Sequence, residues 1–411
     1  MTAIHACRAC DGTKLTRVLD LGETPLANSL VEAHRRSEPE PRYPLGLVLC
    51  ESCALLQITE TVPPEILFRD YRYFSSFSDT MLKHARAITE RLVRDRQLGK
   101  DSLAAEIASN DGYLLKNYVE LGVPVLGIEP ALNVAKVAEE RGVRTLADFF
   151  GKDLGEKLAR EGQRADVIHA NNVMAHVPDI RGVLAGVHAF LKDEGVFVME
   201  SPYVKPMLDH CEFDTIYHEH LFYWSLTALR AVAASVGLEI VDVEPLAIHG
   251  GSVRVSMMRK GPACVAPSEA VRKLLAEEEG WGVRRAEAYA PFAARVGRLK
   301  AELVALLRKL KGEGKTLAAY GAAAKGSTLL NHFGIGSDLL DFVADRSTHK
   351  QGRFMPGVGI PIVAPEALLE RKPDYCLLLT WNFAEEILAQ QTDYRQAGGK
   401  FIVPVPEVTV R

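Results

Sequence analysis

Two pairs of closely spaced cysteines lie near the amino end of the chain. Each pair has Cys-x-x-Cys spacing, and the four residues are Cys7, Cys10, Cys50 and Cys53. Two such turns can place four thiolates around one ion, and a shell of four sulfurs leaves no coordination position for water. The pattern therefore predicts a structural Zn2+ site, in preference to free thiols, a redox dithiol or a catalytic zinc. In a small domain with a thin core, the ion would supply much of the free energy of folding.

A second group of reactive side chains lies in residues 213–224. At its centre is the tetrapeptide Tyr217-His218-Glu219-His220, with aromatic residues on both sides. Histidine is suited to proton transfer because its charge changes near neutral pH. The HExxH spacing of helical zinc sites is missing, which disfavours a metal here. We interpret this segment as an acid–base centre, with a solvated loop as the alternative.

A third group consists of residues that follow successive predicted strands. The candidate cofactor-binding residues are Glu106, Asn110, Gly112, Glu129, Asp148, Phe149 and Asn171. The carboxyl ends of parallel strands meet at one edge of a sheet, where doubly wound folds bind nucleotides. Glu129 follows the second strand, where an acidic side chain accepts hydrogen bonds from ribose hydroxyls. Asp148 is expected to bind the adenine amino group, and Phe149 is expected to cover the ring.

The turn after the first of these strands contains a single glycine, Gly112. Dinucleotide-binding turns use several glycines to approach a diphosphate. S-adenosylmethionine has no phosphate, so a glycine-poor turn accommodates it, and Glu106 or Asp111 would favour its positive charge. The set therefore predicts an S-adenosylmethionine site, and a nicotinamide-dependent oxidoreductase is the nearest alternative.

Short apolar segments predict the α/β units that position these residues. Five strands, mostly separated by helices, indicate a parallel sheet, and two further strands joined by a short turn indicate an antiparallel addition. These strands are predicted at 103–107, 125–128, 143–146, 167–170, 196–200, 238–243 and 252–258. A second α/β unit is predicted from strands at 316–320, 341–344, 375–379 and 401–403. Helices are predicted at 78–95 and, capped by Ser268, over a region that reaches residue 312, whereas residues 1 to about 65 predict a small loop-rich domain.

The second α/β unit has its own candidate anion site. Lys325 lies near a predicted helix start, just after Tyr320, and a lysine in such a glycine-flanked turn suits a diphosphate. Asp345, Arg346 and Lys350 lie at the end of the next strand and add further candidate contacts. A plain strand–helix turn with a surface lysine is the alternative.

The length and charge of the chain limit the kinds of molecule that it is expected to bind. The chain has 411 residues, more than one core usually holds, and its 49 basic and 53 acidic residues give a formal net charge of −4. This balance disfavours binding to nucleic acid or anionic membrane. No apolar run is long enough to span a bilayer, and no secretory signal is visible. The dispersed single cysteines fit a reducing compartment, so we expect a cytoplasmic protein. From the length of the chain we expect two or three domains.

The order of several unusual motifs resembles that of the sugar C-methyltransferases of deoxysugar biosynthesis, which act on nucleotide-linked 4-keto-hexoses. Beside the cysteine pairs, the resemblance rests on residues 106–112, 217–220, 249–251, 320–326 and 403–408, and it covers nearly the full length. It implies an α/β fold with a zinc-binding domain at 1–66, a class I methyltransferase Rossmann-like domain at 67–260, and a C-terminal α/β domain at 261–411 that helps to bind the nucleotide sugar. It also implies a monomer and thymidine diphosphate as the nucleotide carrier.

The same resemblance implies roles for individual residues. Tyr217, Glu219 and His220 fall on the family's Tyr-x-Glu-His motif, with His220 as the favoured base, and His176 matches another histidine near the substrate. The implied substrate-binding residues are Tyr73, Tyr320, Lys325 and Ser327.

Two positions depart from the family pattern. Ala108 replaces the first glycine of a turn that usually reads Gly-Cys/Ser-Asn-Asp-Gly, and alanine should fit there if its φ is negative. His218 stands where an acidic residue is expected, which leaves the identity of the substrate open.

The expected reaction is methylation of the carbon next to the keto group of a nucleotide-linked 4-keto-deoxyhexose. His220 removes the α proton, Glu219 orients the imidazole or contacts the sugar, and Tyr217 or His176 donates a hydrogen bond to the enolate oxygen. The alternative is S-adenosylmethionine-dependent C-, O- or N-methylation of a non-sugar small molecule. A zinc-containing RNA methyltransferase and a non-catalytic binding protein are further alternatives.

Overall fold

The amino-terminal part of the chain is built on a small antiparallel sheet. The computed structural model describes residues 2–63, 67, 76 and 79–411. The first strands are β1 (Thr2–Ala3), β2 (Leu15–Thr24), β3 (Tyr43–Cys50), β4 (Leu56–Ile58) and β5 (Glu60–Thr61). Strands β2, β3 and β4 pair in that order, and β1 pairs separately with β5.

The sequence analysis predicted a loop-rich amino-terminal domain and did not predict the strands of this sheet. Strand β3 is buried at six successive residues, 45–50, so its sequence is a continuous apolar run without the alternation that marks a half-exposed strand. Strand β2 pairs with β3 through two register shifts, which also interrupt a period-two pattern.

A seven-stranded sheet forms the centre of the molecule. Its strands are β6 (Ala104–Ile107), β7 (Val125–Ile128), β8 (Thr145–Leu146), β9 (Ala165–Asn171), β10 (Leu191–Pro202), β12 (Leu238–Leu246) and β13 (Ser252–Arg259). The spatial order is β12-β13-β10-β9-β6-β7-β8. Strands β6 to β10 are parallel, and β13 is antiparallel to both of its neighbours, as the sequence predicted. The strand order reverses between β6 and β9, so a ligand cleft is expected at their carboxyl ends.

Strand β11 (Phe222–Tyr223) belongs to another sheet. It follows the tetrapeptide 217–220 and pairs antiparallel with β4, so it is the fourth strand of the amino-terminal sheet. The segment proposed for proton transfer is therefore attached directly to the amino-terminal domain.

Helices cover the central sheet and connect it to the last part of the chain. They are α1 (Asp79–Arg96), α2 (Leu115–Glu120), α3 (Leu132–Glu140), α4 (Lys152–Arg160), α5 (Ile180–Phe190), α6 (Val204–Asp209), α7 (Leu226–Ser235), α8 (Glu269–Trp281) and α9 (Ala290–Gly312). Ser268 caps α8 through a hydrogen bond from Val271 N, as predicted. The break between α8 and α9 starts at Gly282, whose φ of 85° ends α8 in the left-handed conformation.

The carboxyl-terminal part contains a second doubly wound sheet. Its strands are β14 (Leu317–Tyr320), β15 (Val343–Ala344), β16 (Ile362–Val363), β17 (Tyr375–Leu378), β18 (Lys400–Val403) and β19 (Thr409–Val410). Their order is β16-β15-β14-β17-β18-β19, with only β19 antiparallel, so this sheet reverses its order at β14. Its helices are α10 (Ala324–Phe333), α11 (Ala367–Arg371), α12 (Ala384–Gln390) and α13 (Thr392–Gln396).

One apolar core runs through the three larger sheets. It extends from Leu47 in β3 through Phe197 in β10 to Phe401 in β18, each of them fully buried. Among the described residues, no helix combines the length and the apolar character needed to cross a bilayer.

Candidate active site

The two Cys-x-x-Cys turns meet in the amino-terminal domain. The sulfurs of Cys7, Cys10, Cys50 and Cys53 all lie within 4.8 Å of one another. The Cys7–Cys53 and Cys10–Cys50 sulfur pairs are each 3.6 Å apart. A tetrahedron with metal–sulfur bonds of about 2.3 Å has edges of about 3.8 Å, so this donor set fits Zn2+.

One cleft of about 570 Å3 opens at the carboxyl edge of the central sheet. It is lined by residues from the cofactor turn, from the proton-transfer segment and from the carboxyl-terminal domain. Examples from each are Asn110, His220 and Lys325. The volume is in the range of small-molecule sites, and the cleft joins three sets of residues that lie far apart in the sequence.

The turn after β6 has an unusual backbone. Ala108 and Asn110 adopt positive φ angles of 52° and 49°, and both line the cleft. The condition for an easy fit of alanine, a negative φ at position 108, is not met, because this turn needs the left-handed conformation that glycine adopts without strain. Gly112 has a φ of 75°, and a Cβ atom there would lie 2.9 Å from Val143. Gly112 therefore shapes the turn rather than lining the cleft.

Glu129 and Asn171 supply polar groups to the cleft. The Glu129 carboxylate accepts hydrogen bonds from Asn110 N and Ala131 N, each at 2.9 Å, which fixes its orientation. Burial raises the pKa of Glu129. Asn171 is the last residue of β9, and neither of the two buried polar atoms of its side chain has a partner among the described residues. Such an amide fits a polar ligand.

The remaining predicted cofactor residues are placed differently. Phe149 lines the cleft and is 40% exposed, as suits a ring that covers a ligand. Asp148 is exposed and accepts a hydrogen bond from Phe149 N, so it lies outside the cleft lining. Glu106 lies below the cleft, fully buried, and burial holds its pKa well above the usual range. Asp111 is paired with Arg141 at 2.8 Å, so its charge is already compensated.

Tyr217 and His220 form a hydrogen-bonded pair in the cleft. The distance from Tyr217 Oη to His220 Nε2 is 2.9 Å. His220 Nδ1 lies 2.8 Å from the carbonyl oxygen of Thr215. A carbonyl can only accept, so Nδ1 carries the proton of the neutral ring, and Nε2 accepts a hydrogen bond from Tyr217. Burial, nearby His176 and the charge of Lys325 hold the pKa of His220 well below its usual range.

His176 packs beside this pair. Its ring centroid is 4.9 Å from that of His220, and its Nδ1 donates to the carbonyl oxygen of Glu219 at 2.7 Å. Burial lowers the pKa of His176 as well. The structure therefore brings Tyr217, His176 and His220 together, as predicted.

Glu219 does not orient the imidazole of His220. Its carboxylate accepts a hydrogen bond from Asn28 Nδ2 at 2.7 Å, so it faces the amino-terminal domain. The carbonyl of Thr215 orients His220 instead. His218 also points away from the cleft and donates from Nε2 to the carbonyl oxygen of Pro44 at 3.1 Å. The departure at His218 therefore does not change the cleft lining.

The predicted substrate residues separate into three cases. Lys325 lines the cleft, and its Nζ lies 4.6 Å from the ring centroid of Trp381. Tyr320 and Ser327 are buried in the carboxyl-terminal domain and do not line it. Tyr73 lies outside the described residues.

Sequence reasoning missed several groups of the site. Glu212 lines the cleft, and the charge of Lys325 acts on its carboxyl group, although burial is stronger and raises the Glu212 pKa. Asp214 accepts a hydrogen bond from Trp381 Nε1 at 2.7 Å. The acidic character of residues 212–214 was visible in the sequence. The role of the Thr215 main chain could not be predicted, because every residue has a carbonyl group and the sequence does not show which one accepts a hydrogen bond.

Comparison with known proteins assigns the family. The model of a C-methyltransferase C-terminal domain matches residues 247–406, that of a methyltransferase domain matches 83–243, and that of a zinc binding domain matches 7–68. C-methyltransferase NovU from Streptomyces niveus is 38% identical over 407 residues, which cover 99% of this chain and 97% of NovU. The chain belongs to the C-methyltransferase family.

Crystal structures of other methyltransferases resemble part of this C-methyltransferase. Magnesium protoporphyrin IX methyltransferase from Synechocystis PCC 6803, with bound SAM, is 12% identical, with a TM-score of 0.34 over 44% of this chain and 79% of that one. The CcbJ methyltransferase from Streptomyces caelestis is 15% identical, with a TM-score of 0.35 over 43% of this chain and 90% of that one. At these scores they add nothing to the family assignment.

The family confirms the main predictions from the sequence. This C-methyltransferase is an S-adenosylmethionine-dependent enzyme with a class I Rossmann-like core, a zinc-binding amino-terminal region and a separate C-terminal region. Both predicted cofactors, S-adenosylmethionine and structural zinc, are therefore confirmed.

Proposed function

We propose that this C-methyltransferase methylates the carbon next to the 4-keto group of a nucleotide-linked deoxyhexose. The observation that carries the proposal is the continuity of the cleft. Asn171 of the cofactor edge, His220 of the proton-transfer pair and Lys325 of the carboxyl-terminal domain all line the same space. A methyl donor, a base and an anion-binding lysine are the three components that this reaction needs.

His220 is the proposed base. Carbon becomes nucleophilic only after loss of a proton next to the ketone, and a neutral imidazole can accept that proton. The Thr215 carbonyl keeps the proton of the neutral ring on Nδ1, so Nε2 has the lone pair, which accepts a hydrogen bond from Tyr217 in this structure. The lowered pKa of His220 keeps the ring neutral at physiological pH.

Tyr217 is the proposed donor to the enolate oxygen. Its hydroxyl donates to His220 Nε2 in this structure, and it would turn to the keto oxygen when the sugar is bound. This exchange releases the lone pair of His220 at the moment it is needed. His176 is the weaker candidate, because its Nδ1 is already bonded to the carbonyl of Glu219. A hydrogen bond that strengthens as charge develops on oxygen lowers the barrier.

The cofactor edge supplies binding and alignment. When bound, S-adenosylmethionine supplies an electrophilic methyl group. Glu129 would accept hydrogen bonds from the ribose hydroxyls, and Asn171 and Phe149 would hold the adenosine portion. The main contribution of these residues is to bring the methyl group into line with the carbanion.

The carboxyl-terminal wall would recognise the nucleotide diphosphate. Of the three predicted substrate contacts that the structure describes, Lys325 alone lines the cleft. Its position beside the Trp381 ring limits its freedom and directs its charge. The sugar nucleotide is the one partner proposed, and the enzyme is proposed to act as a cytoplasmic monomer.

Proton exchange tests the function directly. Purified protein is incubated in heavy water with S-adenosylmethionine and a thymidine diphosphate-4-keto-6-deoxyhexose, and the sugar is followed by mass spectrometry. We expect one methyl group to be added, and without the methyl donor we expect deuterium uptake above a protein-free control. His220→Asn should abolish both.

Two results would contradict the proposal. If neither methyl nor deuterium is gained while S-adenosylmethionine still binds, the acceptor is not this sugar. If His220→Asn keeps near-normal turnover while Tyr217→Phe abolishes it, the base is assigned to the wrong residue.

A further inference from the structure

The segment 218–223 is held on one side by the amino-terminal domain. Ile58 N donates to the carbonyl of Leu221 at 3.1 Å, and β11 pairs with β4 at the next two residues. His218 donates to the Pro44 carbonyl, and Asn28 donates to the Glu219 carboxylate. Four contacts to this segment thus come from residues 28–58, none of which lines the cleft.

Side chains of the proton-transfer segment divide between two directions. Tyr217 and His220 face the cleft, whereas His218 and Glu219 face the amino-terminal domain. His218 is 1% exposed and also packs edge-on against the ring of Tyr43. The ring of His220 is therefore fixed in the cleft by neighbours that are anchored outside it.

The cysteine cluster connects to the same contacts. Arg8 lies between the ligands Cys7 and Cys10, and its guanidinium donates to the carbonyls of Ile58 and Glu60 at 2.7 and 2.9 Å. It also lies 5.9 Å from the centroid of the Phe222 ring in β11. The metal-binding turn is thus bonded to β4, and β4 is bonded to the strand that follows His220.

We propose that the amino-terminal domain positions the catalytic base, with His218 and Asn28 as positioning residues that hold His220 in the cleft. The inference rests on the proposed role of His220. It gives the zinc-binding domain a part in catalysis beyond its own folding, since loss of these contacts would release the segment that carries the base.

Release of the segment has a measurable electrostatic effect. The groups facing His220 are His176, Tyr217 and Lys325, together with the Thr215 carbonyl, which also accepts from Tyr223 Oη at 3.3 Å. Burial is the main reason that His220 is neutral. A ring that moves toward solvent regains hydration of its charged form, and its pKa rises toward the ordinary value of about 6.5.

The test is a titration by NMR of the full-length protein, labelled with 13C at the histidine rings and loaded with zinc. The His220 signal is assigned by its loss in His220→Asn. His218→Ala and Asn28→Ala are compared with His218→Gln, whose amide restores a donor near the position of Nε2. Arg17→Ala is the matched control, because Arg17 is an exposed residue of the same domain that pairs only locally, with Asp20.

At pH 6 we expect His220 to be neutral in the parent protein and in Arg17→Ala. In His218→Ala, His220 should be charged in about half of the molecules or more, and in Asn28→Ala the charged fraction should be smaller. In His218→Gln, His220 should be neutral again. His169, buried in the central sheet with a pKa of about 4, should stay neutral throughout. Zinc content should remain one ion per chain.

The inference fails if His220 stays neutral in both His218→Ala and Asn28→Ala, or if His169 becomes charged together with it. It also fails if His218→Gln behaves as His218→Ala does. The titration needs no sugar, so an error in the proposed substrate would leave this result intact. Asn28 is exposed, which keeps the test valid if His218→Ala does not fold.

Discussion

In the central sheet, Glu129 follows β7 and accepts a hydrogen bond from Asn110 N in the turn after β6. In the carboxyl-terminal sheet, Asp345 follows β15 and accepts one from Ala322 N, at 2.7 Å, in the turn after β14. Each acid follows the strand next to the one at which the order of its doubly wound sheet reverses, and such a reversal point is the usual place for a ligand. The two positions are equivalent in topology.

The surroundings of the two acids differ. Lys350 Nζ donates to the Ala322 carbonyl at 2.8 Å and lies 3.6 Å from Asp345, and Ser347 N donates to the other Asp345 oxygen. The protein thus fills the second reversal point with its own groups. The first opens onto the cleft, where the Asn171 amide has no partner among the described residues. Topology offers two such positions, and the described cleft opens at the first of them. The second sheet contributes Lys325 to the wall of the first site.

Replacing the acid of the central sheet, Glu129→Ala, should give the largest difference from the equivalent replacement in the carboxyl-terminal sheet. Loss of the carboxylate that we propose binds the ribose should weaken S-adenosylmethionine binding by about 100-fold, since hydrogen bonds to charged groups contribute about 1.5–3 kcal/mol. Titration calorimetry measures the Kd. Asp345→Ala is the matched control and should leave the Kd unchanged. An equal loss in both variants would mean that the two acids have the same role.

Asp345→Ala should instead lower stability. It leaves Ala322 N and Ser347 N without their acceptor in a buried turn, and each unsatisfied group costs about 1–3 kcal/mol. We expect a loss of about 2 kcal/mol, read as a lower Tm by calorimetry, with S-adenosylmethionine raising the Tm of parent and variant alike. An unchanged Tm, or a loss of cofactor affinity, would show that the second reversal point is not merely structural.

Lys325→Met tests the contribution of the second sheet to the first site. We expect a KM for the sugar nucleotide about tenfold higher, which corresponds to about 1.4 kcal/mol, and an unchanged Kd for S-adenosylmethionine. The charge of Lys325 helps to lower the pKa of His220, so its removal should move the acid limb of the kcat profile to higher pH. Steady-state kinetics from pH 5 to 8 measures both. Arg346 is an exposed neighbour of Asp345 outside the cleft lining, so Arg346→Met is the control and should change neither the KM nor the pH profile. An unchanged KM in Lys325→Met would show that Lys325 does not bind the sugar nucleotide.

The sequence predicted the two parallel sheets well because their strands are short apolar runs between helices. Strand β7 was predicted with its observed bounds, and β6 and β14 differ by one residue. The residues at strand ends followed from this, since their position depends only on where a strand stops. Glu129 and Asn171 were found in this way.

Other features depend on contacts between distant segments. Strand β11 has two residues, and its partner β4 lies more than 160 positions earlier, so no local pattern marks it. The acceptor of His220 is a main-chain carbonyl, and the partner of Glu219 is an asparagine in another domain. The motif therefore selected Tyr217 and His220, which meet in the cleft, but the first of the two roles predicted for Glu219, a contact with the imidazole, is not formed.

The turns after the first strands of the two sheets give the smallest expected effect. Gly321 adopts a φ of 95° after β14, whereas Ala108 adopts 52° after β6. An L-residue in the left-handed region costs about 1 kcal/mol, which glycine avoids, although glycine loses more entropy on folding. Ala108→Gly should therefore raise the free energy of unfolding by a few tenths to about 1 kcal/mol, measured as an increase in Tm. Asn110 is the matched site, because asparagine tolerates this conformation better than alanine does, so Asn110→Gly should gain less. A loss of stability in Ala108→Gly would mean that its methyl group packs usefully against the cleft, and the first turn would then be specialised for its ligand in side chain as well as in backbone.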